Sequence, residues 1–349
     1  MKILFLAPYP IGESPSQRFR FEQYFEILSN AGHQFTISSF LSPEGWKIIY
    51  SKGNTLKKVK AVVQGFLGRL ADLLKMKPYD IVFIHREAAP FGPPVFEWLI
   101  SKVFKKKIIY DFDDAIWLTD KTDEGILTRI LRWRRKVRSI CRWSYKVSCG
   151  NDFLCDFARR FNNNVVLNPT TIDTNYHKPV MKSRGGKLVI GWTGSHSTLK
   201  YLYEIAPVLY AVGKEFPDTE FVTISNGKSP FSQITWSKET EIEDLAKIDI
   251  GIMPLPDDIW SKGKCGFKAL QYMAMEIPTI VSPVGVNTKI VTHNVDGLVC
   301  RTPQEWTDGL RKLITDQDLR RRLGVAGRKK VENNYSVAFN SSNFLRLFE

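Results

Sequence analysis

The chain has no long apolar run. None of its 349 residues lies in a stretch approaching the roughly 18–20 apolar residues that span a bilayer. Its opening, MKILFLAPYP, loses its apolar character at Pro8, too short for the apolar core of a secretory leader. Cysteine is scarce. Cys141, Cys149, Cys155, Cys265 and Cys300 form no CxxC pair and no metal-ligand spacing, an odd and scattered set that fits reduced thiols in a cytoplasm. There is no GxGxxG, so a conventional dinucleotide site is not expected. No repeat, no low-complexity tract and no helix-turn-helix, RRM, KH or zinc signature can be read. What is present, 43% hydrophobic and 12% aromatic residues, excludes disorder for most of the chain and is enough for two domains.

Charge is the first positive signal. The formal net charge is +14, and residues 1–180 hold 28 Lys and Arg against 17 Asp and Glu. The excess in the first half points to an anionic partner: nucleic acid, a lipid surface or a phosphorylated substrate. The segment Arg129–Lys146 has eight positive charges and no acid, interleaved with Leu131, Trp133, Val137, Ile140 and Trp143. Read as one helix, it is suited to an anionic membrane interface, with Lys102 and Lys105–Lys107 adding to the basic surface.

Short apolar runs alternate with helical patterns. Strands are expected at Lys2–Ala7, Gln34–Phe40, Asp80–His85, Lys107–Phe112 and Lys146–Ser148, with helices near 19–31, 55–75, 91–104 and 126–142 between them. A turn-rich stretch, Lys178–Gly186, reads as a linker. The pattern then restarts with strands at Leu188–Trp192, Glu220–Ile224, Ile248–Met253, Thr279–Ser282 and Leu298–Cys300. This rhythm predicts α/β architecture with two doubly wound parallel sheets, at 1–180 and 181–330, and a C-terminal helical segment, 331–349, packing back on the first domain. Such a tandem is expected to place a ligand cleft at the carboxyl ends of the strands.

Five loops at expected strand ends carry chemistry. The first contains Gly12, Arg18 and Arg20, the arginines near a helix start where anions are favoured. The second is His85-Arg86-Glu87, at the cleft or an internal ion pair. The third is Asp111-Phe112-Asp113-Asp114. Crowded carboxylates are expected to raise one pKa and create a proton acceptor, or to bind Mg²⁺, or to hydrogen-bond a sugar hydroxyl; a helix N-cap accounts for one of the three at most. The fourth, Gly191 to Thr198 and then Lys200, has the shape of a phosphate cradle, with Gly194, Ser195 and His196 entering a helix. The fifth, Gly263-Lys264-Cys265-Gly266-Phe267-Lys268, reads as a second glycine loop leading to a helix N-terminus, with Gln271 on the face of Lys268.

Taken together, GKCGFKALQYMAMEIPTIVSPVGVNTKIV, IHREAAPFGPP, YDFDDAIW, NPTTID and IGWTGSHSTLKYL resemble GT-B glycosyltransferases of family 4. The resemblance runs from the first residue to about residue 291. It implies two Rossmann-like domains and a nucleotide-diphosphate sugar held by the C-terminal one. It also implies retaining, metal-independent transfer without a cofactor to a lipid-linked or glycan acceptor, at the inner face of the cell membrane. On it, Gly194, Ser195, His196, Lys200, Lys264, Gly266, Phe267 and Lys268 are expected to bind the donor and Gln271 its ribose. Asp113 and Asp114 are expected to be catalytic, and Gly12, Arg18, Arg20, Arg86 and Glu87 to line the acceptor side. Two departures stand out. The family's paired glutamates fall at Gly263 and Gln271, leaving Lys264 or the Asp113/Asp114 pair to compensate for the earlier one. Lys200 matches the family's phosphate-binding lysine, but its arginine partner is missing. The alternatives are a non-catalytic sugar-nucleotide-binding subunit and a basic nucleic-acid-binding protein.

Overall fold

The computed structural model describes residues 1–49, 51, 53–119, 125–180 and 186–349. The chain divides into two compact units, 1–170 with 341–349, and 171–340.

In the first unit, β1 (Lys2–Ala7), β2 (Gln34–Ser39), β3 (Ile81–His85), β4 (Lys107–Phe112), β5 (Lys146–Cys149) and β6 (Val165–Leu167) form a parallel sheet in the order β2-β1-β3-β4-β5-β6. β1 and β3 are buried almost end to end, which is why their sequences are continuously apolar rather than alternating. Phe5, Phe21 and Phe83 pack ring to ring at 4.9–5.5 Å. The end of the chain joins this core: Phe344 stacks on Tyr24 at 4.2 Å, and Phe348 meets Phe5 and Phe83. The part of the C-terminal segment that belongs to the first unit therefore begins at Ser341 rather than 331.

In the second unit, β7 (Leu188–Thr193), β8 (Thr219–Ile224), β9 (Ser232–Ile234), β10 (Ile250–Met253), β11 (Thr279–Val281) and β12 (Leu298–Val299) give the order β12-β11-β10-β7-β8-β9, again all parallel. Residues 171–180, expected in the first domain, belong here. Ile172 bridges Ser336, and Arg328 donates to the carbonyls of Thr174, at 3.3 Å, and His177, at 3.0 Å. Residues 181–185 of the expected linker lie outside the described residues.

Two expectations change. The basic segment is not one helix: it forms Ile126–Arg132 and Lys136–Trp143, broken at Trp133, which takes a left-handed φ of 44°. Val137, Ile140 and Cys141 of the second piece are core residues, and even Lys136 is buried, donating to the carbonyl of Ala89 at 2.7 Å. Helix 91–104 begins only at Val95, after a loop containing Pro93 and Pro94, and becomes a π-helix over Leu99–Val103. All five cysteines are buried, and none is in a disulfide.

Candidate functional site

In an open parallel sheet, loops diverge where the strand order reverses, and ligands bind at that point. In the second sheet the reversal lies between β7 and β10, paired through Ile190–Ile250 and Gly191–Gly251. The loop following β7 is the first of the two glycine loops singled out from the sequence, and the second, Gly263 to Gly266, comes after β10 and the short helix Ile259–Lys262.

The structure brings them together. A methyl group at Gly194 would lie 2.8 Å from Cε of Lys268 and 2.6 Å from the Trp192 ring, so only glycine fits. Lys268 Nζ stands 5.3 Å from the centroid of the buried Trp192 ring, a cation–π contact that holds it at the end of β7. Lys264 Nζ is placed likewise, 4.9 Å from the Trp260 ring. The Tyr272 hydroxyl accepts from the Thr193 N–H at 2.8 Å, tying helix Phe267–Ala274 to the same strand end. Burial raises the pKa of that hydroxyl, so it stays neutral.

Gly266 precedes this helix with φ +70° and supplies no side-chain cap. The partial positive charge at the start of this helix favours an anion there. Gly266→Ala should destabilise the unit by about 1–2 kcal/mol, from left-handed strain together with a methyl 2.1 Å from Cδ1 of Ile290. Chemical denaturation should show the loss. An unchanged midpoint would mean the turn is not needed. On the β7 side, Ser195, His196 and Lys200 are exposed, and His196–Thr198 forms a 3-10 turn before helix Leu199–Glu215. A cavity of about 240 Å³ opens at the carboxyl ends of β10, β11 and β12, lined by Pro254, Asp257, Ser282 and Arg301 among others. It does not include Gly194 or Lys268.

Gln271 does not reach this open edge. Only 2% of it is exposed, and its amide lies 3.4 Å from His177 Nε2 and 3.5 Å from Glu241 Oε1. A ribose contact through Nε2 would require it to leave both.

The first unit's carboxylates are arranged differently from expectation. Asp111 is fully buried. It pairs with Arg20 and accepts from His85 Nδ1 at 2.9 Å and from Ser148 Oγ at 2.6 Å. Arg20 also donates to the Asn168 carbonyl. Arg20 is thus a core cation and not an anion ligand at a helix start. Asp113 accepts from Arg86 Nε at 2.9 Å and Nη2 at 2.8 Å. Burial alone would raise both pKa values, but Arg20 and His85 beside Asp111, and Arg86 beside Asp113, outweigh it and hold both below the ordinary range. The carboxylates are interleaved with cations, so crowding does not create a proton acceptor at either of them. Asp114 Oδ1 accepts from the Ala115 N–H at 3.0 Å. Arg86 has φ +60°, and Glu87 pairs with Lys136 at 2.7 Å. Gly12, at φ +81°, donates its N–H to Glu22, while Gln17 braces the same loop through both backbone groups of Tyr9. Arg18 lies 4.9 Å from the Phe19 ring centroid. Among the described residues, no group of three His, Cys, Asp or Glu could hold a metal ion.

Sequence reasoning gave no role to Trp192, Trp260 and Ser148, whereas His85 was singled out and takes the ion-pair alternative, against Asp111. The two tryptophans carried a signal, each being close in sequence to a glycine loop.

The family model of glycosyl transferases group 1 matches residues 233–330. A 67-residue stretch is 31% identical to glycosyltransferase 1 domain-containing protein 1 of Xenopus tropicalis, covering 19% of each protein. Among solved structures, sucrose-phosphate synthase from Thermosynechococcus elongatus superposes with a TM-score of 0.72 at 12% identity, over 99% of this chain and 98% of that one. HepE of Anabaena, solved in complex with UDP and glucose, gives 0.70 at 11% identity, over 100% and 99%. At such identities the likeness is one of fold. Residues 233–330 of the second unit therefore match a group 1 glycosyl transferase domain, and the chain as a whole has the two-sheet fold of the GT-B glycosyltransferases.

Proposed function

We propose that this chain is a glycosyltransferase. It moves a sugar from a nucleotide-diphosphate donor, bound at the carboxyl edge of the second sheet, to a lipid-linked glycan acceptor in cell-surface polysaccharide synthesis. The observation that carries the reading is the meeting of Gly194 and Lys268 where the strand order reverses. The group 1 match over 233–330 and the UDP and glucose bound by HepE support it.

Breaking the bond between sugar C1 and the diphosphate leaves negative charge on the departing nucleotide. Lys264, Lys268 and the first-turn N–H groups after Gly266 stabilise that charge as it forms. Lys200 adds a cation at the other loop. These cations supply the countercharge in place of a metal ion. As the C1–oxygen bond to the diphosphate breaks, the acceptor hydroxyl makes the new bond to C1 and its proton passes to a phosphate oxygen of the departing nucleotide. Asp113, oriented by Arg86, and Asp114 serve the acceptor. Retention at C1 and the inner membrane face as the place of action follow from the family resemblance.

Turnover is the test, read as UDP released from UDP-glucose or its sugar analogues in the presence of lipid extract. Because they position the acceptor hydroxyl, Asp113→Asn or Asp114→Asn should lower it by about 100-fold with UDP affinity unchanged, and EDTA should leave it intact. Full rates in both variants would make these carboxylates structural. Activity lost in EDTA and restored by Mg²⁺ would contradict metal independence. Gly263 in place of a glutamate favours a second reading, a non-catalytic sugar-nucleotide-binding subunit. UDP binding without turnover of any donor would select it.

A further inference from the structure

The helix Thr55–Leu74 buries one face on the first sheet, through Ala61, Gly65, Arg69 and Leu73. A methyl at Gly65 would sit 2.6 Å from Phe40, which shows how closely the helix is seated. Arg69 fixes it further, donating to the carbonyls of Ala7 at 2.9 Å and Ala88 at 2.6 Å and to Ser38 Oγ at 2.8 Å. These partners lie at the carboxyl ends of β1 and β2 and just beyond β3, the edge that also bears Gly12 and Arg86.

Its outer face is not the polar surface that such a helix normally presents. Leu56, Val59, Val63, Leu67, Leu70 and Leu74 are 50–87% exposed. Their spacing of three and four residues puts them in one stripe about 27 Å long. The exposed Lys57, Lys60, Lys75 and Lys77 lie on the same helix or just past its end. The helix's one carboxylate, Asp72, is paired with Arg69 at 3.0 Å and with Ser38 at 2.6 Å.

We propose that this outer face is the surface by which the first unit lies on an anionic bilayer. Charge decides the occupant. A second copy packed stripe to stripe would bring lysines against lysines with no carboxylate to meet them. Anionic headgroups match the lysines, and the acyl boundary matches the stripe. The helix lies on the membrane and does not cross it, because no helix among the described residues is long and apolar enough to span one. The surface rests on the reading of a lipid-linked acceptor for its purpose. It replaces the basic segment 129–146 as the main apolar contact, since Val137, Ile140 and Cys141 of that segment are core.

The experiment is co-sedimentation of the full chain with vesicles of equal parts phosphatidylglycerol and phosphatidylcholine, and with phosphatidylcholine alone. The wild type should prefer the anionic vesicles. Val63→Ser/Leu67→Ser/Leu70→Ser should lose at least about tenfold in partition, and Lys57→Ser/Lys60→Ser/Lys75→Ser should lose the anionic preference. Each variant should keep its melting temperature and its stabilisation by UDP, which reports on the donor site separately. Wild-type partition in the apolar variant would overturn the proposal. So would partition abolished by Arg132, Arg134, Arg135 and Arg138 changed to Ser but untouched by the apolar changes. A lipid-free dimer that the apolar variant dissolves would assign the stripe to a second copy.

Discussion

Asp111→Ala is expected to cost the first unit about 3–5 kcal/mol, the scale of a buried ion pair broken on one side. Arg20 would remain in the core without its carboxylate, and His85 and Ser148 would each lose an acceptor. A fall of about 10 °C in the melting temperature should accompany it. Removing both charges, as in Arg20→Met/Asp111→Leu, should cost much less, because no uncompensated charge is left behind. The pH dependence has a definite sign. Folding lowers the Asp111 pKa from 3.8, so its stabilisation is complete above about pH 5 and drains away as acid protonates the carboxylate. Equal stability of Asp111→Ala and wild type at neutral pH would show that the network is not structural.

Lys268→Ala should weaken UDP binding by roughly 1.5–3 kcal/mol, about 10–150-fold in Kd, the worth of one charge-assisted hydrogen bond to phosphate. Calorimetry reads this directly. The same change removes the cation over Trp192, so the indole fluorescence should respond to UDP in the wild type and not in the variant. Lys264→Ala should show a smaller loss, and the melting temperature should barely move in either, because neither lysine is part of the core. Unchanged affinity in Lys200→Ala, Lys264→Ala and Lys268→Ala alike would remove the diphosphate from these loops.

The sheets were legible because parallel strands buried on both faces must be continuously apolar, as KILFLA and IVFIH are. β9 was not legible: Ser232–Ile234 is three residues long at a sheet edge, with two of them exposed. The helix Asp152–Arg159 escaped notice although Asn151 caps it, accepting from the Leu154 N–H. The break at Trp133 carries no glycine or proline to announce it. Both glycine loops could be found in the sequence, since each enters a helix a short way after an apolar strand. Their adjacency could not, because it depends on β10 pairing with β7. The acidic cluster was misjudged for a related reason. Three carboxylates stand together in the chain, but Arg20, one of the cations that neutralises them, lies 91 residues from Asp111. The stripe on Thr55–Leu74 was visible as periodicity, which ordinarily marks a face turned to the core. Burial alone reveals that this one is turned outward.

Thermal shift of the full chain against UDP, GDP, dTDP and CMP tests the central claim most directly, because a ligand bound only by the folded state stabilises it in proportion to the logarithm of concentration over Kd. One nucleoside diphosphate should raise the melting temperature in a concentration-dependent way, and Lys268→Ala should shift that dependence to higher concentration. No stabilisation by any of the four at millimolar concentration, or stabilisation indifferent to Lys268, would contradict a nucleotide-sugar site at the junction of β7 and β10.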